Sequence, residues 1–155
     1  MALEEQLVDK LIEKGYHISF AESCTGGLCC GNLVNVTNAS KVLDVSFVTY
    51  ANEAKINFIG VSADTILSHG VVSEEVAYEM AKGVAEAAKS EIGVGITGVA
   101  GPGGGTAKKP VGMVCFGFYI NGDVTTYTMQ FGEIGRNQVR KSSVEFVFQK
   151  LLELL

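Results

Sequence analysis

The sequence predicts an α/β domain, a mixed sheet covered on both faces by helices. Three observations carry that expectation. Apolar stripes at helical spacing alternate with short apolar runs that read as strands. Asn121-Gly122 is a strong two-residue hairpin signal, so the sheet is mixed rather than purely parallel. The 155 residues show no linker, internal repeat or low-complexity tract, which suits one domain over residues 1–155.

Each element follows from local chemistry. Leu3, Leu7, Val8 and Leu11 fall on one helical face, and Gly15 is the stop. Tyr16 to Ala21 alternates as a strand and runs into the small-residue turn Glu22 to Gly27. Leu28 to Val36 reads as helix, and Thr37 to Ser40 as loop. Val45 to Tyr50 is a second strand. Asn52 is placed to cap a short helix that holds Lys55 and ends at Gly60, and Asp64 to Ser68 is a helical turn. Ser73 caps the clearest helix, Glu74 and Glu75 complement its dipole, and Val76, Ala77, Met80, Ala81, Val84 and Ala88 form its buried stripe. Ile92 to Thr97 is a short apolar strand leading into Gly98 to Gly105. Val111 to Ile120 and Asp123 to Phe131 pair through the hairpin. From Gly135 a last helix turns Val144, Val147, Phe148, Leu151 and Leu155 inward.

Composition excludes several classes. Apolar residues make up 47% and charged residues 19%, too apolar for a disordered chain. No apolar run reaches the roughly 18 residues of a membrane span. The acidic start Met1 to Gln6 lacks the positive region of a secretory signal, and we expect a cytoplasmic protein. A net charge of −5 with no basic patch argues against nucleic-acid and membrane partners. Lys108-Lys109 and Arg136/Arg140/Lys141 suit a small anion better. The four cysteines, Cys24, Cys29, Cys30 and Cys115, form no C-x-x-C pair and read as reduced thiols. With only His17 and His69, no metal-ligand spacing emerges.

Glycine is the informative excess, 19 of 155, and it gathers at Gly26-Gly27 and across Gly98 to Gly105. Both stretches follow strands, and in open α/β sheets ligands sit beyond the carboxyl ends of strands. The turn Glu22 to Gly27 offers backbone N–H groups, with the Ser23 and Thr25 hydroxyls, to an anion; a tight strand-to-helix turn is the plain alternative. The loop from Thr97 to Pro110 would face the same crevice, against a surface loop as its alternative. Ser40 and Lys55 bracket a strand, so the fold could bring a desolvated lysine to a serine hydroxyl; a loop serine and a solvated lysine are the bland reading. Cys24 at a helix start is a rival nucleophile. Arg136 and Arg140, one helical turn apart, suit a phosphate or carboxylate clamp or else a solvated face.

Five motifs in register resemble the CinA C-terminal domain family, which includes bacterial nicotinamide mononucleotide amidohydrolases. They are Ala21-Glu22-Ser23-Cys24-Thr25-Gly26-Gly27, Thr49-Tyr50-Ala51-Asn52-Glu53-Ala54-Lys55, His69-Gly70-Val71-Val72-Ser73-Glu74-Glu75-Val76, Thr97 to Gly105, and Lys109-Pro110-Val111-Gly112. The resemblance runs from about Leu3 to the last helix, without the family's amino-terminal molybdopterin-binding-like domain. It implies a three-layer α/β/α domain with a mixed, mostly parallel sheet. It implies hydrolysis of nicotinamide mononucleotide to nicotinate mononucleotide and ammonia, by a Ser–Lys mechanism needing no metal or other cofactor. Self-association is implied too, and a place in pyridine nucleotide salvage and NAD metabolism.

The family serine of a Gly-Ser-Ser segment corresponds to Ser40, within Asn38-Ala39-Ser40, and Lys55 corresponds to the general base. Tyr50 and Thr97 match residues lining the reacting centre. Arg136 matches the arginine of a Gly-Asp-Arg motif, preceded here by Ile134-Gly135. Glu22, Ser23, Thr25, Gly26 and Gly27, with Gly98, Ala100, Gly101, Pro102 and Gly103, would hold ribose and phosphate. Two alternatives remain: a nucleotide-binding or regulatory module with hydrolysis lost, and a cysteine hydrolase using Cys24.

Overall fold

The computed structural model describes residues 1–155. Five strands form one mixed sheet: β1 Ile18–Glu22, β2 Phe47–Val48, β3 Ile92–Gly98, β4 Met113–Ile120 and β5 Asp123–Gln130, in the order β2-β1-β3-β4-β5. β1 pairs in parallel with both β2 and β3, and β4 pairs antiparallel with both β3 and β5. Six helices cover it: α1 Leu3–Lys14, α2 Leu28–Val34, α3 Asn52–Ile59, α4 Ala63–His69, α5 Glu74–Ala88 and α6 Arg136–Leu154. This is the three-layer α/β/α fold.

Alternation along the central strands builds the layers. Ile18 and Phe20 of β1, with Ile92, Val94 and Ile96 of β3, point to the face covered by α1, α2 and α6 and join a core of 21 buried residues. Ala21 faces the other way, toward Ile59 of α3 and Val76, Met80 and Val84 of α5. That second face is made shallow by glycine. A Cβ on Gly95 would stand 2.6 Å from the Ala77 carbonyl oxygen and 2.7 Å from Met80 Cβ. α5 therefore lies almost directly on the strand backbone.

Several expectations hold. Gly15 ends α1 at φ 70°, and Ser73 Oγ accepts the Val76 N–H at 3.2 Å to cap α5. Asn121 and Gly122 both have positive φ, 48° and 96°, as a type I′ hairpin turn needs. Others shift. The strand expected over Val45 to Tyr50 pairs only at Phe47–Val48, because Ser46 Oγ accepts the Phe20 N–H at 3.1 Å where a strand carbonyl would otherwise stand. Asn52 is the first residue of α3 rather than its cap; Ala51 holds the cap position without a side-chain bond. Part of the loop expected over Thr37 to Ser40 winds into a 3₁₀ turn, Ala39–Lys41.

The glycine-set depth of α5 yields a prediction. Gly95→Ala should lower the unfolding free energy by about 1–3 kcal/mol, because a methyl group there must push the helix off the sheet. Denaturant titration of the variant measures it.

Candidate active site

β1 delivers Ser23, and α3, which follows β2, delivers Lys55. The chain leaves β1 at Glu22, and the Ser23 N–H still donates to the Ile96 carbonyl at 3.2 Å, so the serine sits at the strand's carboxyl end. β2 runs parallel to β1 and ends at the same level, after which α3 begins. Side chains on a helix lean toward its N-terminus. Lys55, in the first half of α3, reaches back that way into the gap between the strand ends.

The amine is buried, at 1% exposure. Its Nζ donates to the Thr49 carbonyl at 2.7 Å and to the Tyr50 carbonyl at 3.2 Å, and it lies 3.1 Å from Ser23 Oγ. Carbonyl oxygens only accept, so they occupy two N–H groups. The third direction of the nitrogen faces the serine: an N–H in the ammonium form, a lone pair in the amine form. Burial lowers the Lys55 pKa from 10.5 to about 8, with the Cys24 thiol weakly opposing it. A substantial neutral fraction is therefore present near pH 8.

The turn around Ser23 is rigid for reasons that do not involve a ligand. Glu22 is fully buried and spends its carboxylate on α2: Oε1 accepts from Thr25 Oγ1 at 2.6 Å and from the Cys29 N–H at 2.9 Å, and Oε2 from the Cys30 N–H at 3.0 Å. From the far side Arg140 donates Nε–H to the Cys24 carbonyl at 2.9 Å and Nη2–H to the Thr25 carbonyl at 3.2 Å. Gly26 and Gly27 take φ of 57° and 100° to complete the turn. The N–H groups of Cys24, Thr25 and Gly27 have no partner on another residue of the chain.

The glycine loop is tied into place as well. Arg136 spans the mouth, donating Nη1–H to the Gly101 carbonyl at 2.9 Å and Nη2–H to the Tyr50 hydroxyl at 3.2 Å. Lys109 Nζ donates to the carbonyls of His69 and Val72. Thr97, 1% exposed, donates its hydroxyl to the Val71 carbonyl at 3.0 Å. Pro102 and Gly103 are exposed.

A family model of the CinA C-terminal domain matches residues 1–155. The chain belongs to the CinA C-terminal domain family. A CinA-like protein of Kosmotoga olearia is 46% identical over 99% of this chain, and a Clostridium acetobutylicum relative with a competence-damage inducible name is 47% identical over 99%. The chain spans 38% of the length of each of these curated relatives. The crystal structure of the competence/damage inducible protein CihA from Agrobacterium tumefaciens is 39% identical with TM-score 0.94, covering 98% of this chain and 93% of that one. That of a CinA superfamily protein from Escherichia coli is 35% identical with TM-score 0.95, covering 99% and 88%.

In this CinA domain the expected Ser40–Lys55 pair does not form. Ser40 is exposed in the 3₁₀ turn, beside the start of β1: the Ile18 N–H donates to the Val42 carbonyl, and Leu43 bridges to Ile18. Lys55 lies at the other end of that strand, roughly 16 Å away at 3.3 Å per residue. The two residues bracket a strand, and a strand carries its flanking residues apart by its own length. The serine that meets Lys55 is Ser23, expected only as a substrate-holding hydroxyl. Its signal was present: in a parallel pair, the residues just past both strand ends converge.

Three further expectations are corrected by burial. The Glu22 carboxylate and Thr25 hydroxyl bind each other and α2, so neither faces a ligand. The Ala100 methyl packs into the main core, leaving only its backbone to the crevice. The Cys24 thiol is pushed up to about 11, first by burial, which removes it as a nucleophile near neutral pH.

Burying Lys55 costs stability, and the sign is fixed. The unfolded chain holds this proton up to pH 10.5 and the folded chain releases it from about 8, so stability rises with pH between those values. Relative to Lys55→Met, the wild-type unfolding free energy should climb by about 3 kcal/mol across that window. Urea titrations of both proteins at each end measure it.

Proposed function

We propose that this chain is an amidohydrolase that cleaves the carboxamide of nicotinamide mononucleotide with Ser23 as nucleophile and Lys55 as general base. The observation that carries this reading is the buried, partly neutral amine 3.1 Å from the serine oxygen. A serine hydroxyl needs a base to become a nucleophile, and a desolvated lysine is one of the few groups that can take its proton near neutral pH.

The steps balance within this pair. Lys55 takes the Ser23 proton as Oγ forms a bond to the carboxamide carbon. The Lys55 ammonium gives that proton to the amide nitrogen, the C–N bond breaks and ammonia leaves. Water then attacks the acyl-serine ester with Lys55 again as base. Collapse releases the carboxylic acid, which gives its remaining proton to solvent, and Lys55 returns the other proton to Ser23. The unpartnered N–H groups of the Ser23–Gly27 turn and the glycine loop supply donors for the oxyanion and the nucleotide phosphate, a contribution typically worth about 3–4 kcal/mol per oxyanion donor. Arg136 and Tyr50 stand at the mouth, where the ribose and phosphate would lie.

Ammonia release from nicotinamide mononucleotide tests the assignment. Ser23→Ala and Lys55→Ala should each lose at least about 1,000-fold in kcat, while Ser40→Ala stays within about twofold of wild type. The rate constant kcat/KM should rise with pH and level off above about 8, because the base works only unprotonated. Full activity in Ser23→Ala overturns the nucleophile. Thermal stabilisation by the nucleotide with no ammonia formed would instead make the chain a binding module.

A further inference from the structure

Buried hydroxyls in folded proteins are nearly always hydrogen-bonded, because an unmade bond in a dry setting forfeits solvation for nothing. Thr49 departs from that rule. Its side chain is 1% exposed, and its Oγ1 is the one buried side-chain oxygen or nitrogen in the chain with no partner.

The backbone of the residue is clamped, so only its side chain can turn to find one. Its N–H donates to the Glu22 carbonyl at 2.9 Å, and its carbonyl accepts from Lys55 Nζ at 2.7 Å. The sheet register then fixes where its side chain points. Glu22 pairs with Val48 on one side and Ile96 on the other, so one step further along Ser23 is flanked by Thr49 and Thr97. Neighbours in register on adjacent strands project from the same face, about 4.8 Å apart along the hydrogen-bonding direction. Three hydroxyls thus lie in a row, with the nucleophile in the middle. Thr97 has spent its proton on the Val71 carbonyl. The proton of Thr49 is unspent.

We propose that Thr49 is a further catalytic residue beside the Ser23–Lys55 pair: its hydroxyl turns to Ser23 Oγ as the serine gives up its proton, and donates an O–H to the developing alkoxide. This rests on the reading of Ser23 as nucleophile. The amine lies on one side of Oγ and receives the proton, and the threonine supplies a second donor from the neighbouring strand. A valine would fill the same space without an orphan oxygen. The hydroxyl weakens the resting protein and is satisfied in the reacting one.

The test uses a reagent independent of the natural substrate. A phosphonofluoridate forms a P–O bond to Ser23 and loses fluoride, and the serine proton passes to Lys55. Labelling is followed by peptide mass spectrometry, beside ammonia release from nicotinamide mononucleotide, in wild type, Thr49→Val, Thr49→Ala and Thr49→Ser. The expected result is about 10- to 100-fold slower labelling in Thr49→Val, a similar fall in kcat with KM within about twofold, and recovery to within about threefold in Thr49→Ser. The pH midpoint of labelling stays near 8 and the Thr49→Val protein melts no lower than wild type. Thr49→Ala gives the same reading if the valine variant fails to fold. Wild-type labelling in Thr49→Val overturns the role of Thr49 and leaves Ser23 standing. Slow labelling with a displaced pH midpoint overturns it as well, since the threonine then only holds Lys55 in place. A wild-type protein that neither labels at Ser23 nor releases ammonia ends both readings.

Discussion

A lysine amine in a dry pocket needs acceptors that will not neutralise it, and here two backbone carbonyls fill that need. A carboxylate beside Lys55 would hold its proton and ruin it as a base. The carbonyls of Thr49 and Tyr50 satisfy two N–H groups while adding no formal charge, so burial dominates and the pKa falls to about 8. Glu22, the acid adjacent to Ser23, belongs to the opposite face of the sheet, where its carboxylate is taken up by Thr25 and the start of α2. The alternation of a single strand, Glu22 to one side and Ser23 to the other, keeps the acid from the amine.

The same alternation explains what could be read from the sequence. The layers, the hairpin and the α5 cap were legible because each depends on local pattern: period, Asn-Gly, Ser before two glutamates. The glycine turn was legible as a tight bend between strand and helix, where Gly26 and Gly27 take positive φ. The partner of Lys55 was harder, because it depends on strand direction and register, which are properties of two segments about thirty residues apart in sequence. Ser40 is suggested by position along the chain alone. Ser23 meets Lys55 because β1 and β2 run the same way and stop together. Glu22 and Thr25 show a related limit: polar residues in a ligand-like motif are equally what a buried helix start consumes.

The helix α6 lies far from Ser23 in sequence yet holds two sides of the crevice. Arg140 grips the carbonyls behind the nucleophile, and Arg136 joins the glycine loop to Tyr50. Both use planar guanidinium groups whose fixed fork reaches two acceptors each.

That arrangement sets an order of events during synthesis. The strands and α5 can assemble while the chain is still emerging, but the arginines that fix the two loops come from the final 19-residue helix. The crevice reaches its working shape only after α6 clears the ribosome, so an unfinished chain carries the serine and the lysine without a framework to use them. Loss of the whole helix would take away both arginines and, with Val144, Val147, Phe148 and Leu151, one wall of the main core.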